Sequence, residues 1–156
     1  YYHRALCSRK ARNLPAALAD LDAIIAINPA AALALFERGK AMYYIRDYSW
    51  AVQEFAKAAE LRQEDPVYLY WLSLALYKSD YPDGALEMAT RAAVLKPDSY
   101  QLRGLMGDIY SALKDKENAS VQYLLAAELS PKYASVYKAK LAALSKPAAP
   151  ARKKRK

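Results

Sequence analysis

The sequence predicts an all-α solenoid of antiparallel helix hairpins, and three observations support this fold class. The 156 residues contain an internal repeat with a period of 34 residues. Each period holds two segments whose apolar residues recur at helical spacing. Residues that favour helix starts precede these segments at similar positions in successive periods. Together these features indicate hairpins that bury their apolar faces against one another, as repeats of this length do.

The repeat is defined by five columns of residues that share one register. The columns are Ala17, Ala51, Ala85 and Ala119; Ile24, Ala58, Ala92 and Ala126; Ile27, Leu61, Leu95 and Leu129; Pro29, Gln63, Pro97 and Pro131; and Ala5, Gly39, Ser73 and Gly107. One class of residue dominates each column. Five such columns in one register identify a structural repeat, because chance does not readily produce them.

Short polar residues and prolines mark where the second helix of each hairpin begins. Asn13, Asp47, Asp80 and Asp115 each precede such a helix, and their side chains can accept hydrogen bonds from its first free N–H groups. Pro15 and Pro82 fall in the first turn of a helix, where the missing N–H of proline costs nothing.

The column of small residues predicts close contact between the two helices of a hairpin. Gly39, Ser73 and Gly107 occupy it in the second, third and fourth units. Glycine in the middle of a helix costs about 1 kcal/mol relative to alanine. Its use at two of these positions indicates that a larger side chain would push the helix axes apart.

These residues resemble the pattern of the tetratricopeptide-repeat family. The best copy is Met106-Gly107-x-x-Tyr110 in the first helix, followed by Ala119, Tyr123, Ala126 and Pro131. The resemblance covers roughly residues 1–146, with units at about 1–31, 32–65, 66–99 and 100–131, a capping helix at 132–145, and a Pro/Ala linker and basic tail at 147–156. It implies a right-handed superhelix whose first helices line a concave groove.

The predicted capping helix has one apolar face. Tyr133, Val136, Tyr137, Leu141 and Leu144 form this face, and lysines and serines form the other. A helix that is apolar on one side only is typical of the end of a helical stack. We therefore expect it to cover the fourth hairpin.

The composition argues against most enzyme classes and against a metal site. The chain has one Cys, one His and four Gly, which leaves no Cys cluster, no His pair and little for a phosphate-binding loop. No apolar run approaches the roughly 20 residues of a membrane-spanning helix. We expect a non-enzymatic intracellular protein without cofactors, either cytoplasmic or nuclear. Since Tyr1 begins in a mid-helix pattern, we also expect further chain before it.

The resemblance assigns the candidate groove positions. They are Tyr2, Phe36, Lys40, Tyr43, Tyr70, Leu74, Tyr77 and Lys78. Tyrosine is enriched at binding sites because it offers a large, stiff contact area with a polar tip. The leading hypothesis is a protein-interaction module that holds a partner peptide or helix in the groove, with the basic neighbours favouring an acidic or C-terminal segment. The alternative is that some of these tyrosines only fill gaps between hairpins.

Some relatives in this family grip a partner's C-terminal carboxylate with lysine, asparagine and arginine side chains. In this chain those positions hold Phe36, Lys40, Trp71, Gln101 and Leu105 when the second unit begins the site. Starting one unit earlier gives Tyr2, Leu6, Glu37, Val67 and Trp71. Neither set forms such a clamp, so the sequence disfavours chaperone-tail binding by this mechanism.

Positive charge is concentrated at the two ends of the chain. The net charge is +8, and residues 1–12 contain four basic and no acidic side chains. The tail Arg152, Lys153, Lys154, Arg155 and Lys156 is compatible with a nuclear-import signal, a tether to nucleic acid or an acidic membrane, or a solvated tail. The alternative function is a structural or scaffold subunit of a larger assembly, with the tail as its nuclear-import signal or nucleic-acid tether. Such a subunit could self-associate through its N-terminal hairpin.

Overall fold

The computed structural model describes residues 14–63 and 65–145, and these residues form eight α-helices and one 3₁₀ turn. The helices are α1 (Leu14–Ile27), α2 (Ala32–Tyr44), α3 (Tyr48–Leu61), α4 (Pro66–Lys78), α5 (Pro82–Leu95), α6 (Tyr100–Ala112), α7 (Lys116–Leu129) and α8 (Ala134–Leu144). The 3₁₀ turn, Pro131–Tyr133, immediately precedes α8. None of these helices is both long and apolar enough to span a membrane.

The helices form three complete hairpins, which are α2 with α3, α4 with α5, and α6 with α7. Helix α1 packs on α2 as the second helix of the first unit, and α8 packs on α7. The first helices α2, α4 and α6 also contact one another along the stack. The second helices are separated from one another by the first helix of the next unit. The first helices therefore lie on the inner side of the stack, and the all-helical solenoid predicted from the repeat is confirmed.

Alanine and the small column allow the helices of each hairpin to approach closely. Ala51, Ala58, Ala85, Ala92, Ala119 and Ala126 are all fully buried. A Cβ atom added at Gly39 would lie 2.8 Å from ring carbons of Phe55, and one added at Gly107 would overlap the ring of Tyr123. Between them in the stack, the hydroxyl of Ser73 donates a 2.7 Å hydrogen bond to the carbonyl of Ala85. The small residues thus make room for a ring or place a hydroxyl against the second helix.

An arginine that binds two carboxylates connects the second unit to the first. Glu54 in α3 is 2% exposed and accepts hydrogen bonds from the guanidinium of Arg38 in α2 at 2.9 to 3.1 Å. The indole Nε1 of Trp50 donates a further bond of 3.1 Å to Glu54. The other side of Arg38 binds the exposed Asp22 of α1 at 2.7 Å. Arg38 therefore holds three helices together through two carboxylates of very different burial.

Two of the predicted helix caps are present, and a third is wrong. Asp47 accepts a bond from the Trp50 N–H at 3.1 Å, and Asp115 accepts one from the Asn118 N–H at 3.0 Å. The Asn118 side chain also binds Asp115, and the side-chain and backbone bonds together lower the pKa of that carboxyl. Asp80 does not cap α5.

The residue before α5 is Tyr81, which makes no side-chain capping bond. Asp80 lies one position earlier in the repeat than Asp47 and Asp115, just after the end of α4. Its side chain is therefore out of register with the first N–H groups of α5. The predicted cap Asn13 lies outside the described residues.

Each of the first helices α2, α4 and α6 is followed by a residue in the left-handed region of backbone conformation. Arg46, Asp80 and Lys114 have φ values of 68°, 65° and 63° and are spaced by 34 residues. After each of them, the next N–H returns to a carbonyl five residues earlier, as from Asp115 to Tyr110 at 2.9 Å. This is the Schellman arrangement, in which glycine is the preferred left-handed residue. This column is not recognisable from sequence, because none of its members is glycine.

We expect Lys114→Gly to raise the free energy of unfolding by roughly 0.5–1 kcal/mol. Glycine removes the Cβ strain of a left-handed residue, and the greater freedom of glycine in the unfolded chain offsets part of that gain. Urea denaturation followed by circular dichroism measures the change. The control is Lys114→Ala, which removes the same lysine but retains the strain. Equal stabilities of the two variants would contradict the prediction.

Helix α8 departs in part from the predicted capping face. Tyr137 is buried against α6, where its ring occupies the space that a Cβ at Gly104 would need. Val136, predicted on the same face, is 49% exposed. Helix α8 packs on α7 and also contacts α6 through Tyr137 and Lys140. The predicted apolar face is therefore buried only in part. Tyr133 lies in the preceding 3₁₀ turn, where its ring stacks on Tyr100 with centroids 5.2 Å apart.

Candidate functional site

The inner side of the stack contains an open cleft between α4, α6 and α8. Its volume is about 200 Å³. Its lining residues are Tyr70, Leu74, Gln101, Gly104, Leu105, Asp108, Tyr137 and Lys140. A smaller hollow of about 150 Å³ adjoins it at the starts of α4 and α6 and shares Tyr70 and Gln101 with it. The two form one surface built from the first helices.

A charged network forms one wall of the cleft. Lys140 of α8 binds both carboxylate oxygens of Asp108 of α6 at 2.6 and 2.7 Å. The hydroxyl of Tyr123 donates a 2.7 Å hydrogen bond to the same carboxylate. Burial, followed by this bond to Asp108, strongly raises the pKa of the Tyr123 phenol, so it remains a donor at neutral pH. The network fixes α8 across the end of the fourth hairpin.

Two tyrosines provide the other polar edges of the cleft. Burial raises the pKa of the Tyr70 phenol and that of the Tyr137 phenol. The Tyr137 hydroxyl lies 3.4 Å from the Tyr100 carbonyl. Both phenols are therefore neutral. The cleft combines aromatic surface with hydroxyl groups and the Lys140–Asp108 ion pair.

Further along the inner side, aromatic rings surround Trp71 of α4. The ring centroids of Phe36, Tyr43, Tyr44, Phe55 and Tyr70 lie 5.6 to 6.3 Å from that of Trp71. Trp71 itself is partly exposed. From sequence, Trp71 is notable only as a residue that does not fit a carboxylate clamp. Its central position joins the second and third units.

Phe36 does not present its ring to the groove as predicted. It is 5% exposed, and its ring lies 4.4 Å from that of Tyr68 and 5.5 Å from that of Phe55. The register places Phe36 on a first helix, but the close spacing of α2 and α4 turns its ring into the space between them. Phe36 therefore belongs to the core, whereas Tyr44 on the same helix is 61% exposed.

Two lysines of the inner face, Lys40 and Lys140, are paired with carboxylates of the chain itself. Lys40 binds Glu37 at 2.5 Å, and its ammonium lies 4.8 Å from the Phe36 ring centroid. Lys140 is paired with Asp108. Lys78 is exposed, and its ammonium lies 5.4 Å from the Tyr77 ring centroid. The inner face therefore offers less free positive charge than the sequence suggests.

The structure places the predicted groove residues in three groups. Tyr70 and Leu74 of α4 line the cleft, while Tyr77 and Lys78 of the same helix and Tyr43 of α2 lie outside it. Tyr2 and the tail, 152–156, lie outside the described residues. In the described part of the chain, no group of three or more His, Cys, Asp or Glu side chains is arranged to hold a metal ion.

Gly104, Tyr137 and Lys140 line the cleft but are not among the groove residues predicted from sequence. A signal was available, because α8 begins at Ala134, which is 34 residues after the start of α6 at Tyr100. Helix α8 therefore occupies the register of a fifth first helix. A helix in that register contributes side chains to the inner face as well as covering the fourth hairpin.

Comparisons with solved structures agree with the repeat architecture. The structure of MamA aligns with a TM-score of 0.84 and 17% identity over 92% of this chain and 81% of that chain. The structure of YrrB, described as a TPR protein with an unusual peptide-binding site, aligns with a TM-score of 0.77 and 25% identity over 90% and 75%. The first TPR of Spaghetti (RPAP3), bound to the HSP90 peptide SRMEEVD, aligns with a TM-score of 0.69 and 22% identity over 73% and 90%.

No protein-family model matches the sequence, and no curated protein matches it. The structural similarity is nevertheless extensive, because it covers most of the chain in two solved structures that are themselves described by this repeat. It also agrees with the 34-residue register and the paired helices. The chain therefore has the tetratricopeptide-repeat fold.

Proposed function

We propose that the chain is a non-enzymatic protein-interaction module that binds a partner peptide or helix along its inner face. The observation that carries the proposal is the cleft between α4, α6 and α8, which is open to solvent and combines tyrosine rings with polar edges. Partly exposed tyrosines bind peptides well because they lose little conformational entropy on binding. Two of the similar solved structures are described as peptide-bound or peptide-binding, which supports the proposal by analogy.

The charge arrangement changes the partner that the sequence suggested. Lys40 and Lys140 are already paired with Glu37 and Asp108, so a strongly acidic segment would have to compete with these carboxylates. A segment with apolar and aromatic side chains and few charges fits the cleft better. Its backbone can bond to the hydroxyls of Tyr70 and Tyr137 and to the amide of Gln101.

The test is a comparative capture experiment with the full chain and two variants. In Tyr70→Ala/Tyr77→Ala, two partly exposed tyrosines are removed from the inner face of α4. The matched control is Tyr81→Ala, which removes a tyrosine that is 64% exposed and lies between α4 and α5, away from the cleft. Proteins captured from an extract of the expressing cells are quantified by mass spectrometry, and circular dichroism verifies that both variants are folded.

We expect the double variant to lose its specific partner while Tyr81→Ala retains it. Purified partner should then bind the double variant at least tenfold more weakly, since two tyrosine rings that the bound partner would cover are removed. A partner that binds wild type and the double variant equally would show that the inner face is not the binding surface. That result would favour the alternative of a scaffold subunit that binds through other faces.

A further inference from the structure

A stripe on the outer side of α7 differs in character from the same stripe on the other second helices. It consists of Glu117, Val121, Leu124, Leu125 and Glu128, whose spacing places all five on one face of the helix. The corresponding residues of α3 are Ser49, Gln53, Ala56, Lys57 and Glu60. Those of α5 are Asp83, Glu87, Thr90, Arg91 and Val94. The centre of the stripe is therefore aliphatic only in α7 among these three helices.

The stripe faces solvent. Val121 is 46% exposed and Leu124 is 48% exposed. At the matching positions Gln53 and Glu87 are also exposed, as befits their polarity. Exposed aliphatic residues at the ends of the second helices, Ile27, Leu61, Leu95 and Leu129, recur in every unit and so belong to the repeat itself. Val121 instead stands where α3 and α5 carry Gln53 and Glu87, and Leu124 stands where they carry the smaller Ala56 and Thr90.

Acidic side chains stand at both ends of this aliphatic stripe. Glu117 and Glu128 are exposed and form no ion pair within the described part of the chain. Lys116 precedes Glu117, but adjacent residues point about 100° apart around a helix and so face different directions. The stripe is thus about three helical turns long. Its apolar centre, Val121, Leu124 and Leu125, spans just over one turn and has an acidic residue at each end, on a chain whose net charge is +8.

We infer that this outer face of α7 is a second docking surface, and that it takes an amphipathic helix whose aliphatic stripe is flanked by lysine or arginine. Val121, Leu124 and Leu125 are spaced as i, i+3 and i+4, which is the spacing of the anchors by which a helix docks. The acidic ends complement basic flanks and set the register of the docked helix. This surface is separate from the inner cleft, which the first helices form.

A second copy of this chain fits the surface less well. Two α7 helices packed antiparallel about a two-fold axis place Glu117 of one copy opposite Glu128 of the other. Parallel packing places each glutamate opposite its own equivalent. Like charges meet in both arrangements, which disfavours self-association through this face.

The test uses a labelled 18-residue helical peptide with leucines at helical spacing and lysines bordering them. A second peptide carries the same leucines with glutamates in place of the lysines. Fluorescence anisotropy with the full chain should show at least tenfold tighter binding of the lysine peptide. Val121→Gln/Leu124→Thr installs side chains that α3 and α5 carry at these positions, and it should weaken that binding at least tenfold.

Two further variants separate this surface from the groove and test the charge complementarity. Tyr70→Ala/Tyr77→Ala should bind the lysine peptide as wild type does, since it alters only the inner face. Glu117→Lys/Glu128→Lys should reverse the preference, so that the glutamate peptide binds more tightly. Failure of these results would leave the proposed groove function unaffected, because the two surfaces lie on different helices.

Four results would overturn the inference. The first is equal affinity of wild type for the two peptides. The second is unchanged binding by Val121→Gln/Leu124→Thr. The third is self-association of wild type in analytical ultracentrifugation that this variant abolishes, which would assign the face to a second copy. The fourth is tenfold tighter peptide binding after truncation at Ser145, which would identify the chain's own basic segment as the occupant.

Discussion

Replacing Arg38 by methionine should lower the free energy of unfolding by about 3–5 kcal/mol. The change leaves Glu54, which is 2% exposed, without the guanidinium that binds it, and the Trp50 indole is its one remaining side-chain donor within residues 14–63 and 65–145. Removing one partner of a buried ion pair costs this much because the remaining charge is neither hydrated nor paired. Urea denaturation monitored by circular dichroism at 222 nm measures the loss.

Two companion variants show whether the buried charge causes the effect. Asp22→Ala breaks the exposed bond of the same arginine and should cost less than about 1 kcal/mol, since exposed pairs contribute little. Arg38→Met/Glu54→Leu removes both members of the buried pair and should recover most of the stability. The explanation is wrong if Arg38→Met costs no more than Asp22→Ala, or if the double variant is as unstable as the single one.

Phe36→Ala should also lower the free energy of unfolding by about 3–5 kcal/mol. The ring is buried between α2 and α4 and contacts Tyr68, Phe55 and Trp71, so its removal leaves a cavity that these rigid rings cannot fill. A groove residue of the same helix would behave differently. Tyr44→Ala is the matched control, because Tyr44 is 61% exposed and its loss should cost less than about 1 kcal/mol.

The pair of variants distinguishes a structural aromatic residue from one available to a partner. Thermal and urea denaturation of both proteins should show a large shift for Phe36→Ala and a small one for Tyr44→Ala. A small shift for Phe36→Ala would indicate that its ring is free to face the groove, as the register alone predicted. The structural assignment of Phe36 would then be wrong.

The hairpins could be predicted from sequence because the repeat carries redundant information. A column such as Ala51, Ala85 and Ala119 repeats one packing requirement in each unit, so a departure at one position does not hide the period. The left-handed stops at Arg46, Asp80 and Lys114 could not be predicted in this way. Backbone hydrogen bonds impose that conformation whatever the side chain, and the residues themselves share no turn propensity.

The candidate site was only partly predictable because it depends on contacts between units. The register assigns Phe36 and Tyr44 to one inner helix, but only the spacing of α2 and α4 decides which ring is buried. The ion pairs that neutralise lysines of the inner face could not be predicted from the sequence either. The pairing of Lys140 with Asp108 joins residues 32 positions apart, and it depends on the way α8 crosses α6.

The contacts between first helices also determine how the molecule responds to force. Successive second helices are separated by a first helix, whereas α2, α4 and α6 contact one another directly. The outer side can therefore lengthen with little loss of contact, while the inner side resists compression. We expect the stack to be easier to extend along its outer side than along its inner side. A ligand bound between α4 and α8 would change the superhelical pitch. Small-angle X-ray scattering would detect such a change as an altered radius of gyration.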